Sequence, residues 1–466
     1  MKSIRRTVSL IIGPLLLAAS IWGLPQEIFV ESGARAAIGT VAWMAFWWVT
    51  APVDYAVTAF LPIAVNAVIQ MADMDTVIAN YASETILLLL GASILTVSWE
   101  KTGLDRRIAI SFLNLIGSNL RRQIVFWYLV SALLSAVLPN AVVCATITPI
   151  AVSMLNYIGE QNVADSKIAT KILLTIVYAA GVGGLCTPLG GAMNLIVVDY
   201  IQQLTGQEYM YIDWIMKFIP IMIVLVVANI LFMIRDISKN ETLGGSVDYF
   251  ANERKKLSKL STEEKWSLAL FVTATVLSFT RQLYQEILPG LKPAYVFIIC
   301  AVLSFMITDK KGNRLLSWKS VQSKIIWELI YIFAGGLAAG TLINNSGAAE
   351  AIGTIVSRVG LNGGMATVFV VVLLTMLLSD VTSNTATAAV SIPIVISIMQ
   401  GGGIDPLPYV YVATIGINLS FMLPTSIRAI PVGYGLQPRY MLKEGIQISM
   451  IMLVLMTVCG YVLFIM

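Results

Sequence analysis

Ser383, Asn384 and Thr385 stand together inside an apolar run, and Asn140 stands in a similar run 244 residues earlier. Hydroxyls and amides at such points can donate hydrogen bonds to an anion. An isolated Ser-Asn-Thr triplet serves equally well as an ordinary helix N-cap. Here the residues fall at midpoints where two long apolar segments are interrupted. A helix that starts there carries unpaired backbone N–H groups and a partial positive charge. Two such starts facing one another would make an anion site from backbone and small polar side chains.

Two further interruptions add to the set. GVGGLCTPLGGAMN at 181–194 supplies Thr187 and Asn194, and LPTSIRAIPVG at 423–433 supplies Thr425, Ser426 and Arg428. Glycine lets backbone approach a ligand closely, and proline frees carbonyls. Arg428 is the sharpest of these residues, because a charge near the bilayer centre costs about 2.5–3.5 kcal/mol or more and needs a partner. It either binds a substrate carboxylate through its planar fork, pairs with Asp380, or snorkels to an interface. Asp380 lies one helical turn before Ser383, and its repeat mate is Ala136. It is expected to pair with Arg428, to carry a proton, or to ligate sodium, with Ser379, Ser383 and Asn384 beside it. The expected substrate contacts are therefore Asn140, Thr187, Asn194, Ser383, Asn384, Thr385, Thr425, Ser426 and Arg428.

The elements that must position them follow from composition and repetition. Of 466 residues, 58% are hydrophobic and 12% charged, with a mean hydropathy of +0.83. Soluble domains carry about 25% charged residues, so this reads as an all-α polytopic membrane protein. The chain has no histidine, and its four cysteines never form a CxxC pair. No catalytic residues, metal site or cofactor other than a transported ion are expected. Segments 84–150 and 328–394 are two copies of one design at a constant spacing. Glu84 matches Glu328, Gly91 Gly335, Gly103 Gly347, Asn140 Asn384 and Pro149 Pro393. Between 133–150 and 377–394, eight of eighteen residues are identical. Internal repetition in so apolar a chain is the mark of a secondary transporter.

About eleven spans are expected, near 7–24, 35–51, 54–71, 84–101, 170–205, 212–234, 266–284, 293–308, 324–345, 408–436 and 445–465. Segments 123–158 and 363–400 are broken at their midpoints and are expected to be re-entrant hairpins, with backbone buried in protein or lining a cavity. With hairpins returning to their starting side and the N-terminus inside, the basic segments Lys2 to Arg6, Lys101 to Arg122, Arg235 to Lys265, Lys310 to Lys324 and Arg439 to Lys443 all become cytoplasmic, and the C-terminus falls outside. Five crossings then separate the two copies, which makes them inverted. The expected organisation is a first span at 1–34, repeat 1 at 35–235, a cytoplasmic connector with an amphipathic helix at 236–265, and repeat 2 at 266–466.

At this point the chain resembles the divalent anion:sodium symporter family. The resemblance rests on SNTATAAVSIPI after the second hairpin tip, WMAFWWVTAPVDYAVTAFLPI at 43–63, the helix ends at 102–103 and 346–347, and the order of spans. It implies a homodimer, an elevator-like transport part moving against a scaffold, and dicarboxylates, citrate or sulfate as cargo. Members of that family have Ser-Asn-Thr at both tips and Thr-Pro-Pro-Asn after both breaks. Here those positions read Pro139-Asn140-Ala141, Gly191-Ala192-Met193-Asn194 and Ile427-Arg428-Ala429-Ile430, and only the second tip is intact. The expectation is therefore a plasma-membrane carrier of small di- or tricarboxylates that works by exchange or couples only weakly to Na+. Sodium-coupled symport and an inorganic oxyanion carrier are the alternatives. No nucleic acid is an expected partner.

Overall fold

The computed structural model describes residues 2–308, 312, 314–352 and 363–466. Lys310, which opens one of the basic segments, lies outside them. Among the described residues the fold is helical throughout, with two isolated β-bridges as its only extended pairing. Eight helices among those residues are long and apolar enough to cross a membrane, and three apolar helical stretches are shorter.

Both broken segments are helical hairpins. The first is Leu120–Ser135 and Asn140–Tyr157, and the second is Met365–Val381 and Asn384–Gly401. Neither is a continuous helix. Their arms are of 16 to 18 residues. At 1.5 Å per residue they reach about 24–27 Å, against about 30 Å of hydrocarbon core, and the second arm of each, Asn140–Tyr157 and Asn384–Gly401, is among the eight helices just counted.

The hairpins enter the bundle from opposite ends. The base of the first is tied to the connector on both sides. Leu120 N–H donates to Glu241 O at 2.9 Å, and Lys171, just beyond the hairpin, pairs with Asp236 at 3.4 Å and Glu444 at 3.3 Å. At the second, the Tyr409 hydroxyl donates to Gly363 O, joining the segment before the hairpin to the segment after it. Tyr411 lies 3.4 Å from Tyr209 through their hydroxyls, at the end where Glu208 also meets Arg281. The charged ends sort the same way. Arg106 with Glu253, Arg107 with Glu264, Lys324 with Glu100 and Arg235 with Glu444 join segments that the basic-residue bias assigns to one side.

Each hairpin is followed by an interrupted span. In the first copy, Lys167–Gly184 stops, a 3-10 turn follows at Pro188–Gly190, and Ala192–Thr205 resumes. In the second, Pro406–Asn418 gives way to extended chain, then the turn Ser426–Arg428 and the short helix Ala429–Gly433. The repeat-related helices Glu84–Thr102 and Trp327–Asn345 are both followed by a left-handed glycine, Gly103 at φ 74° and Gly347 at φ 78°, a conformation that costs glycine least. Glu84 and Glu328 sit in the first turns of these helices, where an acid complements the dipole, and Glu84 also pairs with Lys292 at 2.9 Å.

The connector differs from the expectation in one respect. Its helix, Ser246–Lys256, ends before Ser261, and Thr262–Phe279 begins inside the predicted boundary under a reciprocal Ser261–Glu264 cap. Such a box is a strong helix start, so the STEEK residues belong to the following span.

Candidate functional site

The two hairpins grip the two broken spans through the same hydrogen bonds. In the first copy, Ser135 Oγ donates to Ala180 O at 2.7 Å and Thr187 Oγ1 to Ala136 O at 2.6 Å. In the second, Ser379 Oγ donates to Ile417 O at 2.6 Å and Thr425 Oγ1 to Asp380 O at 2.8 Å. Ser135 and Ser379 are 244 residues apart, as are Ala136 and Asp380. The repeated sequence therefore builds a repeated clamp, in which a hairpin arm and a break satisfy each other's loose carbonyls.

The glycines of the first break serve this packing. A Cβ on Gly183 would lie 2.3 Å from Ala132 O, and one on Gly190 would lie 2.7 Å from Ser135 O. These glycines admit the hairpin backbone, where the sequence suggested close approach to a ligand.

A polar side chain then knits each break from its far side. Asn194, fully buried, donates to Gly184 O at 2.7 Å and Thr187 O at 2.9 Å. Arg428, 1% exposed, takes this part in the second copy. Its Nε donates to Leu423 O at 2.6 Å. Nη1 donates to Ser420 O at 3.1 Å and to Ser420 Oγ, and Nη2 to Ser379 O at 3.2 Å and Thr425 Oγ1 at 2.5 Å. All five guanidinium N–H groups are spent on protein oxygens. Arg428 is thus a buried structural cation in this conformation, and it does not present its fork to a ligand. Asp380, also 1% exposed, lies 3.9 Å from Nη2 through Oδ1, which accepts the Met422 N–H at 2.8 Å. Its other oxygen, Oδ2, is buried without a hydrogen-bond partner. Of the readings open for this pair, the geometry shows a charge-compensating contact and no fork-on-fork salt bridge.

The remaining predicted residues divide by whether their polar atoms are free. Ser383 caps its helix, with Oγ accepting the Ala386 N–H at 3.1 Å. Ser379, Thr187, Asn194 and Thr425 are committed to the clamps just described. Asn384, 4% exposed, has Oδ1 facing two hydroxyls, Ser420 Oγ at 3.0 Å and Ser379 Oγ at 2.9 Å, the second of which gives its proton to Ile417 O. Among the described residues no protein acceptor meets its Nδ2, no protein partner meets the Thr385 hydroxyl, and neither atom is sealed from accessible space. Both stand on the first turn of an 18-residue helix, where the dipole is positive. Asn140, half-buried, opens the second arm of the first hairpin, and that arm packs against the Ser426–Gly433 segment. Ser426 is exposed and left-handed at φ 52°. A non-glycine residue there stores strain of order 1 kcal/mol, as functional loops often do.

Sequence reasoning missed three residues. Ser420 links Arg428 to Asn384, and Ser135 is the first clamp's hydroxyl. Asn418 donates to Asn194 Oδ1 at 3.3 Å, joining the two breaks, and its own Oδ1 is buried and unpartnered. The polar Asn418-Leu-Ser420 step just before the break was the available signal. A cleft of about 500 Å³ elsewhere, between the first hairpin and the helix Leu104–Leu113, is lined by Glu100, Asp105 and an Arg106 that pairs with Glu253. Two carboxylates make it a poor seat for an anion. Among the described residues, no cluster of three His, Cys, Asp or Glu could hold a metal ion.

An all-helical body with two opposed hairpins and two broken spans defines a membrane transporter. Solved structures of that class share the fold. The chain aligns with the YdaH transporter of Alcanivorax borkumensis at a TM-score of 0.54 and 11% identity, covering 91% of this chain and 97% of that one. It aligns with MtrF of Neisseria gonorrhoeae at a TM-score of 0.54 and 12% identity, covering 83% of each. Residues 45–416 match the citrate transporter family model, CitMHS, and the chain belongs to that family. Its relatives include the sodium-dependent dicarboxylate transporter SdcS of Staphylococcus saprophyticus, 26% identical over 99% of this chain and 92% of that protein. The protein of the same name from Staphylococcus aureus is 28% identical over 97% and 90%. These similarities bear out the resemblance to the divalent anion:sodium symporter family.

Proposed function

We propose that this protein carries small dicarboxylates, or citrate-like tricarboxylates, across the plasma membrane by alternating access. The observation that carries the reading is the second hairpin tip. There an amide N–H pair and a hydroxyl stand free at a helix N-terminus, backed by a fully paired buried cation. A dianion leaving water needs compensating positive charge, and this tip supplies donors, a dipole and a nearby guanidinium. Asn384 and Thr385 are the primary contacts, with Asn140 and Ser426 reaching the site from the facing hairpin and the second break.

The body formed by hairpins and broken spans moves as an elevator against the scaffold helices, in a homodimer with its N-terminus in the cytoplasm and its C-terminus outside. Because Arg428 fills its oxygen cage with a fixed charge, transport runs by exchange or with weak sodium dependence. The relatives' names favour a second reading, sodium-coupled symport, in which Na+ binds elsewhere at the tips. Counterflow into proteoliposomes of labelled succinate, malate, citrate, 2-oxoglutarate and sulfate, with sodium or choline, separates these readings. Saturable counterflow of an organic dianion in choline supports the proposal. Uptake of sulfate alone, or of no anion, overturns it, and uptake strictly dependent on sodium establishes the second reading.

A further inference from the structure

Ser420 has one proton and two neighbours that compete to define it. Its Oγ accepts an N–H of Arg428 Nη1, so the hydroxyl's own proton is the only one it has left to donate. The acceptor within reach is Asn384 Oδ1, at 3.0 Å. Ser379 Oγ lies 2.9 Å from the same oxygen, but its proton has Ile417 O at 2.6 Å, and its repeat mate Ser135 makes the matching bond to Ala180 O. The proton inventory thus leaves Ser420 as the group that holds the Asn384 carbonyl. Were the Asn384 amide turned over, Ser379 Oγ would accept one of its N–H groups, but the other would face a hydroxyl that already accepts from a guanidinium, and the Ser420 proton would lose its acceptor.

We propose that Ser420 is a positioning residue that locks the Asn384 amide with Nδ2 toward the transported carboxylate and relays the charge of Arg428 to it. The guanidinium polarises the Ser420 hydroxyl, the hydroxyl polarises the amide, and the amide N–H becomes the better donor. A cation whose own N–H groups are all spent can in this way still strengthen the grip on an anion it never touches. The asymmetry of the repeat fits. The equivalent of Asp380 in the first copy is Ala136, the first break contains no arginine, and among the described residues no serine hydroxyl holds the Asn140 carbonyl. The second tip is therefore the one that selects a carboxylate.

This inference rests on the dicarboxylate reading, and its test keeps the two apart. Uptake of succinate and of its monoamide succinamate is measured in proteoliposomes for wild type, Ser420→Ala, Ser420→Cys and Ser420→Thr, with detergent melting curves as a check on folding. Losing a hydrogen bond to a charged network raises KM for succinate roughly ten-fold or more in Ser420→Ala, with maximal rate little changed. Preference also moves toward succinamate, because a freed Asn384 can turn its carbonyl to the ligand's NH2. Ser420→Thr, which keeps the hydroxyl, restores both, and Ser420→Cys falls between. An unchanged KM, or equal losses for both substrates without rescue by threonine, overturns the relay while the substrate reading stands. No succinate uptake by wild type overturns both.

Discussion

Replacing Arg428 by alanine tests how the second break is held together. The guanidinium donates five hydrogen bonds to oxygens of Ser379, Ser420, Leu423 and Thr425, and it is the cation nearest the buried Asp380. Summing five bonds to a charged group at about 1.5–3 kcal/mol each would overstate the loss. Desolvating the charge had already offset much of that gain, and truncating one partner of a buried pair costs about 3–5 kcal/mol. That range is a large part of a marginal folding free energy. Arg428→Ala should therefore melt well below wild type in detergent. Arg428→Lys should fall between the two, since three ammonium N–H groups cannot serve five acceptors. Asp380→Asn in the alanine background should recover about 1–3 kcal/mol, because neighbours in one network are not additive.

Sodium supplies a second arm of the test. The empty cage would present oxygens to a small cation, and sodium at 100 times its dissociation constant would restore about 2.7 kcal/mol to the variant. Wild type, whose cage is occupied, should not respond. Melting curves in sodium and choline buffers read both arms. An Arg428→Ala variant that melts with wild type, or additive losses with Asp380→Asn, would refute the account of Arg428 as the break's internal cation.

Three other outcomes are expected. Asn384→Ala should lower succinate uptake by more than about ten-fold, as loss of a donor to a charged ligand implies, with stability lowered by only about 1–3 kcal/mol, the cost of an unpaired Ser420 hydroxyl; undiminished uptake would move the site elsewhere. Gly183→Val places atoms where Ala132 backbone already stands, so it should destabilise by about 1–3 kcal/mol or more, and a neutral effect on melting would contradict the clamp. Arg281, 3% exposed, holds Glu208 through 2.9 and 3.2 Å bonds; Arg281→Ala should cost about 3–5 kcal/mol, partly recovered by adding Glu208→Ala, and additive losses on melting would show the pair to be uncoupled.

Much of this architecture was legible in the chain alone. An apolar composition, a constant 244-residue offset and two polar interruptions located both hairpins, because backbone in hydrocarbon must be paired internally and a break there is costly enough to mark the sequence. The offset even carried through to hydrogen bonds, with Ser135 and Ser379 making the same contact. Family membership was readable for the same reason, since SNTATAAVSIPI and the order of spans extend over most of the chain. What tertiary structure decided was which polar atoms remain free. Thr187, Asn194, Thr425 and Arg428 all looked like ligands, and each proved to be spent on oxygens of the breaks and of the hairpin arms beside them. Ser420 and Asn418 looked like span residues, yet Ser420 joins the second tip to Arg428 and Asn418 joins the two breaks. A sequence counts donors and acceptors, but only packing says which of them have already met. That pairing depends on distances between segments far apart in the chain, and it leaves the Asn384 amide and the Thr385 hydroxyl as the donors still available to a ligand.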